Sequence, residues 1–138
     1  MAEIIYKHNS SFTEDDILNL YDNVEWTNYT KNIKKLIRAL NNSLYILTAW
    51  DENKLVGLIR IIGDGETIIY IQDILVLKEY QRQGIGSKLL KTVLDKYKNV
   101  RQKVLLTDDN NKTRLFYKAN GLEPANKSNL VSYVLTNN

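Results

Sequence analysis

The sequence predicts an α/β protein of the α+β kind, with one mixed central sheet and about four helices divided between its faces. Three observations carry that prediction. Residues 44–77 hold successive strand-like runs parted by turns. Residues 74–97, ILVLKEYQRQGIGSKLLKTVLDKY, pass from an apolar run through a glycine-bearing bend into an amphipathic segment. Helix-period segments stand both before and after the strands, and helices placed that way cover both faces of the sheet they help to bury.

In chain order, Glu3 to Tyr6 suits a first strand. Thr13 and Asp16 form a near capping box ahead of Ile17, Leu18, Leu20, Tyr21 and Val24, which marks a first helix. Residues 25–29, EWTNY, break that pattern. Thr30 then suits the cap of a second helix, in which Ile33, Leu36, Ile37 and Leu40 recur at helical spacing. Trp26 and Tyr29, two aromatics in one short connection, either pin the loop to the core or line a pocket. LYILTAW, LVGLIRII and TIIYIQDILVL follow, separated by turns at 51–53 and 63–65, and read as an antiparallel meander. A strand near Val104 to Thr107, a helix from about Asn111 to Asn120 and a last strand, LVSYVL, from Leu130 complete the chain.

The stretch 74–97 organises the rest. Ile74, Leu75, Val76 and Leu77 are too few for a core helix and fit a buried strand. From Gly84 the period changes: Ile85, Leu89, Val93 and Tyr97 recur every four residues, with lysines on the other side, as in a helix with one buried face. Gln81, Arg82, Gln83, Gly84, Ile85, Gly86 and Ser87 therefore lie at a helix start, where about four backbone N–H groups lack helical acceptors. Glycines let an anion approach those donors, and the helix dipole with Arg82 and Lys88 adds positive potential. A nest for a pyrophosphate follows. It is neither of the two common phosphate loops: a dinucleotide fingerprint needs a third glycine where Leu89 stands, and a P-loop needs four residues between its glycines, where only Ile85 stands.

Gln81-x-x-Gly84-x-Gly86 resembles the Q/R-x-x-G-x-G/A pattern of the GNAT superfamily of N-acetyltransferases. That resemblance extends over essentially the whole chain and implies a mostly antiparallel sheet of about six to seven strands in a single domain, residues 1–138. In the family this loop holds the pyrophosphate of acetyl-coenzyme A. The backbone matching Ile74, Leu75 and Val76, where the fourth strand splays from the fifth, pairs with the pantetheine arm, and an N–H near Val76 would face the oxyanion. The region holding Trp26 and Tyr29 commonly shapes the acceptor site. The family also implies a small-molecule or peptide amine as acceptor, no metal, and members that often form homodimers.

Residues 110–121, NNKTRLFYKANG, resemble the family's N-x-x-A-x-x-F-Y-x-x-x-G, with Thr113 in place of the alanine. At about 100° per residue, Leu115, Phe116 and Ala119 share one helix face while Asn110, Thr113 and Tyr117 gather opposite, so Tyr117 stands off the apolar stripe. In the family the matching tyrosine commonly protonates the departing coenzyme A thiolate, and the matching asparagine contacts the cofactor. A phenol of ordinary pKa near 10 suits that exchange. Gly121 fits a C-cap, with Pro124 barring continuation.

A general base is less plainly marked. Many relatives carry a glutamate where Leu105 stands. Asp73 is the best carboxylate, as base and as acceptor contact, with Asp108, Asp109 or a relay of waters as alternatives; a structural role for Asp73 is equally open. Gln72-Asp73-Ile74 with residues 80–86 also resembles glucosamine-6-phosphate N-acetyltransferases, which have Glu-Asp where this chain has Gln-Asp. His8, the one histidine, is remote from both motifs.

Composition narrows the alternatives. A chain of 138 residues, 43% hydrophobic and 25% charged, suits one globular domain with a real core. The absence of cysteine excludes disulfides, thiolate zinc ligands and an acyl-cysteine intermediate, so transfer must be direct or use another nucleophile. No leader of signal-peptide form and no run near the roughly 20 residues of a membrane span are present, which leads to the expectation of a cytoplasmic protein without a membrane partner. The net charge of +3 is too small to argue for a nucleic-acid partner, and none is expected, yet residues 78–103 alone carry +6, flanking the glycine loop where a polyphosphate cofactor would be steered.

Overall fold

The computed structural model describes residues 3–9 and 11–137. The chain divides into two compact units, residues 1–106 and 107–138.

The first unit holds a five-stranded sheet in the order β1-β2-β3-β4-β5, formed by β1 (Ile4–His8), β2 (Tyr45–Asp51), β3 (Lys54–Gly63), β4 (Ile68–Val76) and β5 (Gln102–Val104). The first four pair antiparallel as the meander reading requires, and β5 runs parallel to β4. A parallel return needs a crossover, which is α4 (Ile85–Lys96). Between β1 and β2 lie α1 (Glu14–Asn23), α2 (Thr27–Thr30) and α3 (Ile33–Asn41). α1 starts at a complete capping box: Thr13 Oγ1 accepts from Asp16 N–H at 3.0 Å, and Asp16 Oδ2 accepts from Thr13 N–H at 2.9 Å. Thr30 is not a helix cap. It closes α2, and Asn32 caps α3 by accepting from Lys35 N–H at 3.2 Å.

β2 and β3 are buried almost throughout, which explains why neither alternates strictly in sequence. Ile17, Leu20 and Tyr21 of α1, Leu36 and Leu40 of α3, and Ile85, Leu89, Leu90 and Val93 of α4 supply the buried helix faces.

The second unit holds α5 (Asn111–Ala119), which ends in a Schellman arrangement: Leu122 N–H donates to Tyr117 C=O and Gly121 N–H to Lys118 C=O, with Gly121 at φ +90°. Two expectations fail here. Leu115 is 69% exposed and Ala119 is exposed, whereas Tyr117 is half-buried, so the apolar stripe drawn from helical periodicity is not the buried face. Residues 130–135 form no strand: a strand exists only in a ladder, and none of the described residues of this unit offers one. Among the described residues the sheet thus has five strands and not six or seven.

Candidate active site

Two features of the β4–α4 region create the candidate site. The ladder between β4 and β5 consists of Ile68, Ile69 and Tyr70 facing Gln102, Lys103 and Val104, and ends there. Beyond Tyr70, β4 continues for six residues along β3 alone. The edge that includes Ile74, Leu75 and Val76 is therefore turned away from any sheet partner, as the splayed reading expects. Just past it, a 3-10 turn (Lys78–Tyr80) leads into the bend 81–84, which opens α4.

That bend is built from left-handed residues. Arg82 has φ +65° and Gly84 φ +84°. Gly84 is the N-cap of α4, no side chain caps the helix, and a Cβ at Gly84 would meet nothing within 4 Å. The glycine is thus required by backbone angle and leaves the helix end open, with first-turn amides directed outward. The first helical bond runs from Lys88 N–H to Gly84 C=O at 3.0 Å, so Ile85, Gly86 and Ser87 make up that first turn. Gln81 Nε2 donates to Val76 C=O at 3.0 Å, tying the bend to the end of the splayed strand. Arg82 and Gln83 are exposed beside it.

The middle of β4, immediately before that splayed edge, carries a buried polar cluster. Arg60 of β3 pairs with Asp73 of β4, while Ile61 pairs with Ile71, which makes Gln72 the extra residue of a β-bulge. Asp73 Oδ2 accepts from Arg60 Nε at 2.7 Å and from Tyr21 O–H at 2.9 Å. The Asp73 side chain has no exposed surface, and its Oδ1 has no partner at hydrogen-bond distance among the described residues. Burial lowers the Arg60 guanidinium, but the Asp73 charge and hydrogen bond, together with Tyr21 and Tyr29, outweigh it and hold the group above its ordinary value. Tyr21 is pushed well up, first by burial and then by that same carboxylate.

Gln72, re-aimed by the bulge, donates from Nε2 to the Tyr29 hydroxyl at 3.1 Å. Tyr29 of α2 packs edge-on against Tyr21, with ring centroids 5.6 Å apart, and Trp26 lies 6.1 Å from both. Burial and the Asp73 charge raise the Tyr29 phenol, and the Gln72 hydrogen bond partly offsets them. The structure thus brings Trp26, Tyr29 and Asp73 into one cluster. Arg60 and Tyr21 belong to it too, and sequence reading missed both: Tyr21 passes for a core residue of an amphipathic helix, and only strand register sets Arg60 opposite Asp73.

The second unit contains Asn110 and Tyr117. Asn110 caps α5, accepting from Thr113 N–H at 3.0 Å. Burial raises the Tyr117 phenol, and a hydrogen bond with Thr107 opposes the rise. Asp109 is ion-paired with Arg114 at 2.5 Å and is exposed. Leu105 follows the end of β5, and His8 hydrogen-bonds Tyr45. Among the described residues no cluster of His, Cys, Asp or Glu could hold a metal, and no helix is long and apolar enough to cross a membrane.

Comparison with known proteins gives one family. The model of the acetyltransferase (GNAT) family matches residues 5–122. A GNAT family acetyltransferase structure from Streptococcus pneumoniae TIGR4 is 38% identical, with a TM-score of 0.87 over 98% of both chains. A Gibberella zeae protein whose name carries a provisional acetyltransferase assignment is 35% identical over 82 residues, which are 57% of this chain and 44% of that protein. The chain therefore spans less than half of that relative. An aminoglycoside N-acetyltransferase solved in complex with coenzyme A shares the fold at 13% identity, with a TM-score of 0.67 over 100% of this chain and 95% of that one.

Proposed function

Because this chain belongs to the GNAT acetyltransferase family, we propose that it is an N-acetyltransferase that passes an acetyl group directly from acetyl-coenzyme A to a primary amine. The observation that carries this reading is the parting of β4 from β5 immediately before an uncapped helix start, with Gly84 in the left-handed region. An extended pantetheine arm needs unpaired strand amides and carbonyls, a diphosphate needs outward amides, and the two lie one short bend apart in sequence.

In this reading the first-turn amides of α4 and the bend from Gln81 bind the pyrophosphate. Backbone groups of Ile74, Leu75 and Val76 hold the arm, and an N–H near Val76 polarises the thioester carbonyl. The amine nitrogen attacks the carbonyl carbon, the new N–C bond forms, the C–S bond breaks, and the proton that the amine gives up passes to water, which in turn reprotonates the Tyr117 phenolate. Tyr117 protonates the leaving thiolate, and Asn110 takes the place of the family's cofactor-contacting asparagine. Burial keeps Tyr117 in the protonated form an acid needs. Asp73, enclosed and paired, acts on the acceptor through its neighbours. The chemistry requires no metal, and holding two reactants together accounts for much of the rate. The matched residues 5–122 run through both units, which supports one acetyltransferase domain over residues 1–138.

The test is calorimetric titration with acetyl-coenzyme A followed by thiol-release assays with three acceptors: an aliphatic diamine, an amino sugar and a dipeptide with a free N-terminus. Donor binding together with amine-dependent thiol release supports the reading. Donor binding with no transfer to any of the three turns it into a cofactor-sensing domain, and absence of donor binding overturns it.

A further inference from the structure

The bend that opens α4 is tied to the end of the sheet by a contact that the proposed function does not use, and the role inferred for that contact rests on the proposed function. Arg82 lies in the left-handed region at φ +65°, and Gly84 follows it at +84°. A non-glycine residue in that region is strained and persists only where its surroundings determine it. On the α4 side no side chain caps the helix, and a Cβ at Gly84 would meet nothing within 4 Å. The hold therefore comes from the turn Lys78–Tyr80 and from Gln81. Lys78 N–H donates to Asn23 Oδ1 at 2.8 Å, Gln81 Nε2 donates to the Val76 carbonyl at 3.0 Å, and Tyr80 O–H donates to Asp51 Oδ2 at 2.5 Å. The neighbouring ion pairs, Lys54 with Glu79 at 3.5 Å and Lys78 with Glu25 at 3.0 Å, join exposed side chains and hold little. Of the three hydrogen bonds, the one from Tyr80 ends on a carboxylate, and such a bond is about twice as strong as a neutral one. Asp51 is itself well anchored. It closes β2 in register with Ile4 of β1 on one side and Lys54 of β3 on the other, and Lys54 Nζ lies over the Tyr80 ring, 5.6 Å from its centroid. Tyr80 stands two residues before Arg82, so one side chain joins the end of the sheet to the left-handed bend.

We propose that Tyr80 is a positioning residue for the donor: its hydrogen bond to Asp51 sets the bend 81–84 in its left-handed form before acetyl-coenzyme A arrives, so that the diphosphate meets amides already in order. Tyr80 and Asp51 touch no reacting atom in this role. They supply preorganisation, because an ordered site binds without first losing the entropy of a loose loop. With the bond broken, the ties from Asn23 and to Val76 remain, and the bend loosens without unfolding. The effect is confined to donor binding. Once the donor holds the bend, the chemical step proceeds as in the wild type, so loss of the bond raises KM for acetyl-coenzyme A and leaves kcat at saturating donor unchanged.

The experiment compares wild type, Tyr80→Phe, Asp51→Ala, the double variant and Asp51→Asn, reading donor dissociation constants by calorimetry and KM and kcat by thiol release with the best acceptor of the panel. Tyr80→Phe keeps the ring beneath Lys54 and removes only the O–H. It should weaken acetyl-coenzyme A binding roughly 5- to 20-fold, the lower part of the range for a hydrogen bond to a charged group, with kcat within about twofold of the wild-type value. Asp51→Ala reads the same bond from its other end, which keeps the test decisive should the phenol variant fold poorly. The double variant should bind no more weakly than either single one, because a single bond is lost in all three. Asp51→Asn keeps an oxygen that accepts from the phenol and should lie between Asp51→Ala and wild type. A second readout needs no catalysis: in the free protein the hydrogen-bonded amides about the bend, those of Tyr80, Gln81 and Lys88, should exchange faster in Tyr80→Phe and regain wild-type protection with acetyl-coenzyme A bound. Wild-type donor affinity in Tyr80→Phe and Asp51→Ala, effects of the two that add in the double variant, or a kcat that falls as far as kcat/KM each overturns the assignment while the proposed function stands. A wild type that does not bind acetyl-coenzyme A removes both.

Discussion

Arg60 and Asp73 face each other across the β3–β4 ladder with side chains only 7% and 0% exposed, so each is the main reason the other can be buried as an ion. Removing one leaves an uncompensated charge in the core, whereas removing both exchanges the pair for apolar contact. Arg60→Met alone should destabilise the protein by about 3–5 kcal/mol, and Arg60→Met with Asp73→Leu should recover most of that loss. Urea denaturation of both variants checks this, and equal destabilisation of the two would show that the pair has no mutual dependence. Tyr117 makes a different kind of claim. Tyr117→Phe keeps the edge-to-face contact with Phe116, at 5.0 Å between centroids, and deletes only the hydroxyl. Turnover should fall roughly 10² to 10⁴-fold with donor affinity unchanged. A variant as fast as wild type in single-turnover thiol release removes Tyr117 from the chemistry.

At the scale of the element, the opening of α4 is where backbone and function meet. Gly84 is left-handed with open space around its Cβ position, so Gly84→Glu does not clash with a neighbour. It costs about 1–2 kcal/mol of backbone strain and places a negative charge at the amides proposed to bind a diphosphate. Calorimetry should show acetyl-coenzyme A affinity reduced more than tenfold, with Gly84→Ala affected less; equal affinities for all three proteins would separate this helix end from the donor. The strand–bend–helix unit was legible because each part has a local signature: an apolar run, a polar bend with two glycines, and a four-residue period. Thr13 was legible for the same reason, its partner Asp16 being three residues away. Thr30 was misread because Asn32 offers equivalent capping chemistry two residues later, and propensity does not choose between them. Leu130 to Leu135 misled more deeply. β-branched and aromatic residues state a preference for a strand, but a ladder is a property of two segments, and only one was in view.

Over the whole molecule, charge position matters more than charge total. Residues 78–103 carry +6 within a chain of net +3, yet the structure discounts part of that excess, since Lys78 is ion-paired with Glu25 at 3.0 Å. The field that remains near the start of α4 comes from exposed Arg82, Lys88 and Lys91. Exposed charges act over about 10 Å at 0.1 M salt and about 3 Å at 1 M. Raising the salt concentration across that range should therefore weaken acetyl-coenzyme A binding by an order of magnitude or so, chiefly by slowing association. Arg82→Gln with Lys88→Gln should flatten the dependence. The cluster proposed to face the acceptor behaves otherwise, because its Arg60–Asp73 pair is enclosed and little screened, so acceptor affinity should vary less over the same series. Stopped-flow association rates for the donor and equilibrium constants for the acceptor, taken in one salt series, distinguish the two ends. Equal sensitivity at both would mean that the basic segment does not steer the donor.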